Sequence, residues 1–364
     1  MRALRYFAVA SVVALGVSAG TPALAAGHGL QVHNDSAGTV GARSGAPAGG
    51  GHLESAVVPA SGTVTNTTSV PNFSVSYTTG GTNYVDTLAG NLPTSGGTTT
   101  IPTSITPIKV VLSDGSFTYP AGALTSIKGS ALFKNGNFSS GTTQYSDANQ
   151  RAEFWNLSGF KSSWHTLLGQ PPINPLVTLH IPAGHGSVEH VGSATYLDVD
   201  INAIGALLRK LAAKKPATGL TLFIGYQVWL YSGSPSGAGI GGYHSMVANG
   251  TGRHTYAWAS WNTGDKFGAG SADTWAASHE IAEWNNDPNV NDKAPRWSVA
   301  GEPQYGCNSA FEVGDPLVGH TQVVGGLHMQ DEAGISWFAR LVPSIEQNGA
   351  YSFFGTFGTF STAC

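Results

Sequence analysis

Segments with the residue pattern of β-strands alternate along this chain with segments of helical periodicity, and no internal repeat is visible. Short apolar and β-branched runs predict strands, while apolar residues three and four positions apart predict helices. The predicted strands are 73–77, 108–112, 176–181, 195–199, 220–231 and 254–260, and the predicted helices are 145–155, 201–214, 273–285 and 332–341. Because the two kinds of element are interspersed, the class is α+β or α/β, and we expect an α+β protein with a mixed β-sheet.

The predicted helix at 273–285, called the HE helix below, carries the run Ser278-His279-Glu280-Ile281-Ala282-Glu283. With 3.6 residues per turn, His279 and Glu283 lie one turn apart on the same face. A second face is apolar and is expected to pack in the core through Ala277, Ile281 and Trp284.

This spacing is the one by which zincin metallopeptidases hold a zinc ion. Two ligands stand at positions i and i+4, and a glutamate directly after the first acts as general base toward metal-bound water. In this chain the ligands would be His279 and Glu283, and the base would be Glu280. The common motif has a second histidine where Glu283 stands, and a carboxylate weakens the pull of the metal on water. The sequence therefore predicts a metal site first and hydrolysis second, on a zincin-like core.

A third ligand has to come from another segment. Glu312 and Asp315 stand in Phe311-Glu312-Val313-Gly314-Asp315-Pro316, and Glu312 follows Glu283 by 29 residues (312 − 283). Pro316 disfavours helical backbone at Asp315, which predicts a strand end or a turn. Either carboxylate could complete the site. Zinc is the expected metal. One histidine with two carboxylates is a less typical zinc site, however, so manganese, iron and calcium stay open.

His244, in Gly241-Gly242-Tyr243-His244-Ser245, is a further candidate for the site. It precedes the strand predicted at 254–260, which could run beside the site as a substrate-pairing edge strand. Tyr243 or His244 could then polarise a substrate carbonyl. Tyr243, His244 and Glu280 are accordingly the candidate catalytic residues.

The N-terminus has the three parts of a secretory signal peptide: Arg2 and Arg5, an apolar run at 6–17, and Ala23-Leu24-Ala25. The apolar run is too short to span a bilayer, and no later stretch reaches the roughly 20 apolar residues of a membrane helix. We expect an extracellular protein with cleavage near Ala25. Residues 26–67 are rich in glycine, serine and threonine, which predicts a flexible lead-in before a single domain at 68–364.

The chain has two cysteines, Cys307 and Cys364. In an oxidising compartment an even pair is most simply a disulfide, here joining residues 57 positions apart (364 − 307). Two unpaired buried thiols are the alternative.

Charged residues make up 10% of the chain, and the formal net charge is −4. Phosphate binding needs clustered lysine and arginine, so nucleic acid is not an expected partner. A peptide or a cell-wall-associated substrate is expected instead, while the oligomeric state stays open.

Three other interpretations of the HE helix are open. Its polar side chains could form a solvated face with a helix-internal hydrogen bond. A non-enzymatic extracellular protein of the wall or matrix could use them to hold a structural metal. Glu280 could also work with a second carboxylate as an acid/base pair on a glycan, with no metal.

The run at 278–283, followed by Asn286-Asp287-Pro288 and later by Glu312-Val313-Gly314-Asp315, resembles the signature of the EXORDIUM or phosphate-induced protein family of plants and its bacterial relatives. It is also similar to a group of secreted bacterial proteins with the same HE-x-x-EW core. The resemblance covers about 220–315. It implies an extracellular protein linked to cell walls and growth, with the zincin-like motif at His279, Glu280 and Glu283. The cysteine-rich pattern of the plant proteins is mostly missing here.

Overall fold

The computed structural model describes residues 58–64, 68–300 and 306–364. The predicted signal peptide and its cleavage position lie outside these residues. The strands, numbered along the chain, are β1 (Val58–Val64), β2 (Asn72–Thr79), β3 (Thr82–Ala89), β4 (Thr98–Ile101), β5 (Thr103–Val111), β6 (Phe117–Thr118), β7 (Gly136–Phe138), β8 (Gly141–Thr143), β9 (His165–Leu168), β10 (Val177–His180), β11 (Gly186–Val191), β12 (Ala194–Asp200), β13 (Leu220–Tyr226), β14 (Val228–Tyr231), β15 (Gly242–Asn249), β16 (Gly252–Trp261), β17 (Lys293–Ser298), β18 (Asn308–Ala310), β19 (Thr321–Val324), β20 (Leu327–Gln330) and β21 (Thr362–Ala363). The helices are α1 (Ala123–Gly129), α2 (Tyr145–Glu153), α3 (Ile201–Ala212), α4 (Trp275–Asn286) and α5 (Ile335–Ala339).

A mixed sheet forms the centre of the fold, with strand order β10-β5-β13-β16-β15 and β6 paired to β5. Strands β10, β5, β13 and β16 run parallel to one another, whereas β15 pairs antiparallel with β16 at the edge. The expected α+β class with a mixed sheet is therefore confirmed. The prediction that the strand at 254–260 is the edge strand was wrong, because that segment is β16 and β15 covers it.

Alternate side chains of the central strands face two separate hydrophobic clusters. Leu222 and Ile224 of β13 belong to the cluster that contains Ile281 of α4. Phe223, which stands between them, belongs to the cluster that contains Ile204 of α3. Since successive residues of a strand point to opposite faces, the sheet lies between α4 on one side and α3 on the other.

The HE helix of the sequence is α4, and every one of its residues is buried. It packs against β15 and β16, and Ala257 and Ala259 of β16 present small side chains to the cluster that contains it. Ile281 and Trp284 are completely buried, which confirms the predicted apolar face. The interpretation of the remaining side chains as a solvated polar face was wrong, because His279, Glu280 and Glu283 are no more exposed than the apolar residues.

The strand predicted at 220–231 is two strands in the structure. β13 belongs to the central sheet, whereas β14 pairs with β12 in a separate sheet. Gln227 joins them at φ 52°, a left-handed conformation that interrupts an extended strand. The apolar run continues on both sides of Gln227, so the pattern of residues does not reveal the break.

Other predicted elements agree with the structure to within a few residues, apart from two. The strand predicted at 108–112 is β5, which begins five residues earlier (108 − 103), and α5 is shorter than the helix predicted at 332–341. The segment predicted as a flexible lead-in contains β1, which pairs antiparallel with β2. The rest of that segment, 26–57 and 65–67, lies outside the described residues. Within the described residues, no helix is long and apolar enough to cross a membrane.

The predicted disulfide is confirmed: Cys307 and Cys364 are bonded, with their Cα atoms 5.9 Å apart. The bond ties the C-terminal residue to the segment just before β18. There β21 adds an antiparallel strand to β17, at Trp297 and Ser298.

Replacing Cys364 with serine is expected to lower the free energy of unfolding by about 3–5 kcal/mol at most, because the unfolded chain regains the entropy that the closed loop removes. Urea unfolding of the oxidised protein measures this loss. Cys307→Ser and the double variant should show the same loss, since all three lack one and the same bond. An additional loss in the double variant would mean that the thiols stabilise the fold separately.

Candidate metal centre

Six of the side chains selected from the sequence occur together in the core. Three segments supply them: α4, the edge strand β15, and the turn that follows β18. None of the six is more than 4% exposed. We call them the His/carboxylate cluster, and its members are His244, His279, Glu280, Glu283, Glu312 and Asp315.

On one side of the cluster, three carboxylates face Nε2 of His279. The distances from this nitrogen are 3.2 Å to Glu283 Oε1, 3.8 Å to Glu280 Oε1 and 3.9 Å to Asp315 Oδ1. His279, Glu283 and Asp315 together form one group whose atoms could hold a metal ion. Of the two third ligands considered, Asp315 is therefore the one that approaches His279.

On the other side, His244 faces the same helix. Its Nδ1 lies 3.4 Å from Glu283 Oε2 and 3.6 Å from Glu280 Oε2, and its Nε2 lies 3.9 Å from Glu312 Oε2. His244, Glu280 and Glu283 form a second group able to hold a metal ion. Glu283 belongs to both groups, with one carboxylate oxygen directed to each histidine.

Tyr243, which was expected to contact substrate, does not join the cluster. Its side chain belongs to the hydrophobic cluster on the α3 side of the sheet, where its ring lies 6.0 Å from that of Tyr256. Neighbouring residues of a strand face opposite sides, so Tyr243 points away when His244 points toward α4.

Two glycines allow the segments to come this close. A Cβ atom on Gly242 would lie 2.6 Å from Cγ of Glu280, and one on Gly314 would lie 2.5 Å from Nδ1 of His279. Both distances are shorter than van der Waals contact. Glycine is therefore required where β15 and the turn before Asp315 pass the helix.

Many polar atoms of the cluster are buried without a hydrogen-bond partner. Leaving such an atom unpaired in the core costs about 1–3 kcal/mol, and more for a charged group. The atoms concerned are Nε2 of His244 and of His279, Oε2 of Glu280 and of Glu283, both carboxylate oxygens of Glu312, and Oδ1 of Asp315. These unpaired atoms include donor atoms of both groups that could hold a metal ion.

The four carboxylates differ in how readily they ionise. Burial raises the pKa of Glu312 and Asp315 well above the usual range, and the charge of Glu283 raises both further. Burial also raises the pKa of Glu280, to about 7, although the charge of the neighbouring His279 acts to lower it. The pKa of Glu283 is lowered despite its burial, because the two histidines on either side stabilise its charge. Glu283 is therefore the carboxylate that stays ionised.

The two histidines respond to the same charges. Burial acts to lower the pKa of both rings, but Glu312 raises the pKa of His244 and Glu283 raises that of His279, in each case well above the usual value. Among the described residues, every ion pair that the four carboxylates make is to one of these histidines. Two histidines cannot neutralise four carboxylates, so the cluster has to retain protons or bind a cation.

The spacing of the cluster fits a metal ion. Zinc binds histidine and carboxylate ligands at about 2.0–2.2 Å, which places the ligand atoms of a tetrahedral site about 3.4 Å apart. The closest distances here, 3.2 Å and 3.4 Å, agree with that value. The donor set of nitrogen and oxygen atoms also suits manganese or iron.

Sequence reasoning missed four residues that lie near His279 or contact its neighbours. Gln330, at the end of β20, places its amide nitrogen 2.8 Å from Nδ1 of His279, and Trp275 donates to the amide oxygen of Gln330 at 2.6 Å. Glu332 is completely buried and accepts a hydrogen bond from the hydroxyl of Tyr145 at 2.7 Å. The sequence predicted no role for Met329, Gln330 and Asp331 and placed Glu332 at the start of a helix, and nothing in the spacing of this run relates it to the HE motif.

Comparison with protein-family models, with curated proteins and with solved structures found no match. The resemblance to the EXORDIUM family stays a prediction that rests on the motif residues.

Access to the cluster is narrow. The cavity next to it, lined by Gly241, Gly242, Trp275, Ala276, His279 and Glu280, has no room for a water molecule. A wider groove of about 760 Å³, lined among others by Phe138, Val323 and Phe354, contains no member of the cluster. In this conformation the centre is closed to a substrate.

Proposed function

We propose that this protein is an extracellular metal-binding protein that holds a divalent ion in its core beside the HE helix. The observation that supports this most directly is the set of buried, unpartnered nitrogen and oxygen atoms in the His/carboxylate cluster. The confirmed disulfide is compatible with the extracellular location.

A catalytic use of the ion is the first candidate role, with a peptide or a cell-wall-associated molecule as substrate. When bound, such an ion lowers the pKa of a coordinated water molecule and polarises a carbonyl group. In a zincin-like arrangement His279, Glu283 and Asp315 would hold the ion. Glu280 would then be the residue placed to accept a proton from the substrate water. His244, on the edge strand, would face the substrate.

A structural metal in a non-enzymatic protein of the wall or matrix is the second candidate role. The closure of the site favours it, since structural metal sites are closed and catalytic sites keep an open position. The cluster is at most 4% exposed, and the cavity beside it does not admit water. Catalysis would require β15 or the turn before Asp315 to move away from α4.

Metal analysis of the purified full-length chain tests the shared premise. We expect about one divalent ion per chain after dialysis, loss of that ion to a strong chelator, and recovery on adding zinc. Because binding has to displace protons from the carboxyl groups whose pKa is raised, protons should be released as the ion enters. Protein that retains no ion and takes up none on titration would refute the proposed function.

If metal is bound, assay against a broad peptide library separates the two roles. Cleavage that disappears on chelation supports the hydrolase. Full metal occupancy without cleavage of any peptide supports the structural role.

A further inference from the structure

The hydrogen bonds around His279 distinguish between the two groups that could hold the ion. The amide of Gln330 contacts three partners: its Oε1 accepts from Trp275 Nε1 at 2.6 Å, and its Nε2 lies 2.8 Å from both the Gly314 carbonyl oxygen and His279 Nδ1. An indole N–H only donates, and a carbonyl oxygen only accepts. Rotating the amide by 180° would place its NH₂ group against the indole N–H of Trp275 and its oxygen against the carbonyl oxygen of Gly314. Its orientation is therefore fixed by Trp275 and Gly314.

This orientation determines where His279 carries its proton. Gln330 presents an N–H group to Nδ1, which suits a nitrogen that accepts and not one that carries a hydrogen. The neighbouring carboxylates raise the pKa of this ring, but only the neutral ring can bind a metal ion, and its one N–H is then on Nε2. Nε2 lies 3.2 Å from Glu283 Oε1 as an ion-pair contact without hydrogen-bond geometry. A ring in this tautomer has no lone pair on Nε2 for a metal ion.

His244 has the opposite arrangement. Its Nε2 faces the carboxylate of Glu312, which suits an N–H group, and its Nδ1 faces Glu280 and Glu283. A proton on Nε2 leaves the lone pair of Nδ1 directed at the two glutamates. Metal-binding histidines typically direct their other N–H to a carboxylate, and Glu312, 3.9 Å from Nε2, is the carboxylate on that side.

The hydrogen bonds of Glu280 and Glu283 distinguish the two histidines in the same way. Glu283 Oε1 accepts from the backbone N–H of Gly314 at 3.2 Å and faces His279, whereas its Oε2 has no partner. Oε2 of Glu280 has no partner either. These two free oxygens are the ones that face Nδ1 of His244.

We infer that the ion is held by Nδ1 of His244 with Oε2 of Glu280 and of Glu283, and that His279 is a positioning residue whose ring pairs by charge with the carboxylate of Glu283 at 3.2 Å. This inference rests on the proposed function, since it assigns the ligands of the same centre. In this arrangement Glu280 is a ligand, so no free carboxylate stands where the HExxE motif puts its base.

Zinc titration of the full-length protein tests the assignment with four histidine and glutamate variants. We expect His244→Gln and Glu280→Gln to abolish saturable zinc binding, because each removes a ligand. His279→Gln should retain the stoichiometry and lose roughly 10- to 100-fold in affinity, as is usual when an outer partner of a ligand is removed. His190→Gln, an exposed histidine outside the cluster, should bind as wild type does.

Long-range ¹H–¹⁵N NMR of the histidine rings in metal-free protein provides a second readout, which a merely structural role would not predict. At a pH at which the ring is neutral, we expect His279 to show its proton on Nε2, with its signals assigned by their absence in His279→Gln. A proton on Nδ1, or loss of zinc from His279→Gln with retention in Glu280→Gln, would overturn the assignment and leave the proposed function standing. Wild-type protein that binds no zinc would overturn both.

Discussion

Replacing Glu283 with glutamine is expected to abolish metal binding while leaving the protein folded. Glu283 belongs to both groups that could hold an ion, and it is the carboxylate whose pKa is lowered, so it offers its charge across the widest range of pH. The loss of affinity should exceed the roughly 10- to 100-fold that follows removal of an outer partner. Isothermal titration with zinc measures it.

Glutamine preserves the contact that Glu283 makes to the fold. Its carbonyl oxygen can still accept from the backbone N–H of Gly314, as Oε1 does now at 3.2 Å. The matched control is Glu189→Gln, the same substitution at a partly exposed carboxylate that pairs with Lys266 outside the cluster. Zinc affinity within a few-fold of wild type in Glu283→Gln would mean that the ion binds elsewhere, and both ligand groups would be excluded.

Replacing Glu153 with glutamine is expected to stabilise the protein in mildly alkaline solution and to have little effect in acid. Glu153 ends α2, is 2% exposed, and accepts from the backbone N–H of Ile335 at 2.8 Å, while its Oε2 has no partner. Burial, with a smaller contribution from Asp86, raises its pKa to about 8 from an ordinary value of 4.5. The protonated form is therefore the one that the fold favours.

The direction of the pH dependence follows from this difference in pKa. The folded state binds the proton more tightly than the unfolded state, so the favourable contribution is complete below about pH 4.5 and is lost as the pH rises through about 8. The corresponding free energy is at most about 5 kcal/mol. Glutamine imitates the neutral carboxyl group at every pH and retains an oxygen for Ile335.

Urea unfolding at about pH 5 and about pH 8.5 measures the effect. The free energy of unfolding of Glu153→Gln should match wild type at the lower pH and exceed it by several kcal/mol at the higher one. Hydrogen bonds from Ser116 lower the pKa of the exposed Asp114, which is therefore ionised at both pH values, so Asp114→Asn should give a difference that does not change between them. If the difference in free energy of unfolding between Glu153→Gln and wild type were also the same at both pH values, Glu153 would ionise normally in the fold.

Local patterns in the sequence were sufficient for the elements that depend on periodicity and capping. Helix α3 has its apolar residues at helical spacing, and Asp200 caps it by accepting from the backbone N–H of Asn202 at 2.8 Å. The spacing of His279 and Glu283 was enough to place them one turn apart. The break at Gln227 was not predictable, because it depends on two sheets that diverge at that point rather than on the residues around it.

The composition of the cluster was also available from the sequence, since all six members were selected as candidates. Their roles were not. Tyr243 and His244 are neighbours in sequence, and only the pairing of β15 with β16 determines which of them faces α4. Gln330 carries no motif, yet its amide, which is hydrogen-bonded to Trp275 and Gly314, lies 2.8 Å from Nδ1 of His279.

The sequence by itself determined the class of the fold, the helix that carries the HE motif and the pairing of the two cysteines, because these depend on local spacing or on there being a single possible pair. Only the tertiary structure decided that the motif is buried and that Glu283 lies between two histidines. Burial and hydrogen-bond direction depend on segments far apart in the chain, and no local pattern records which of them will meet.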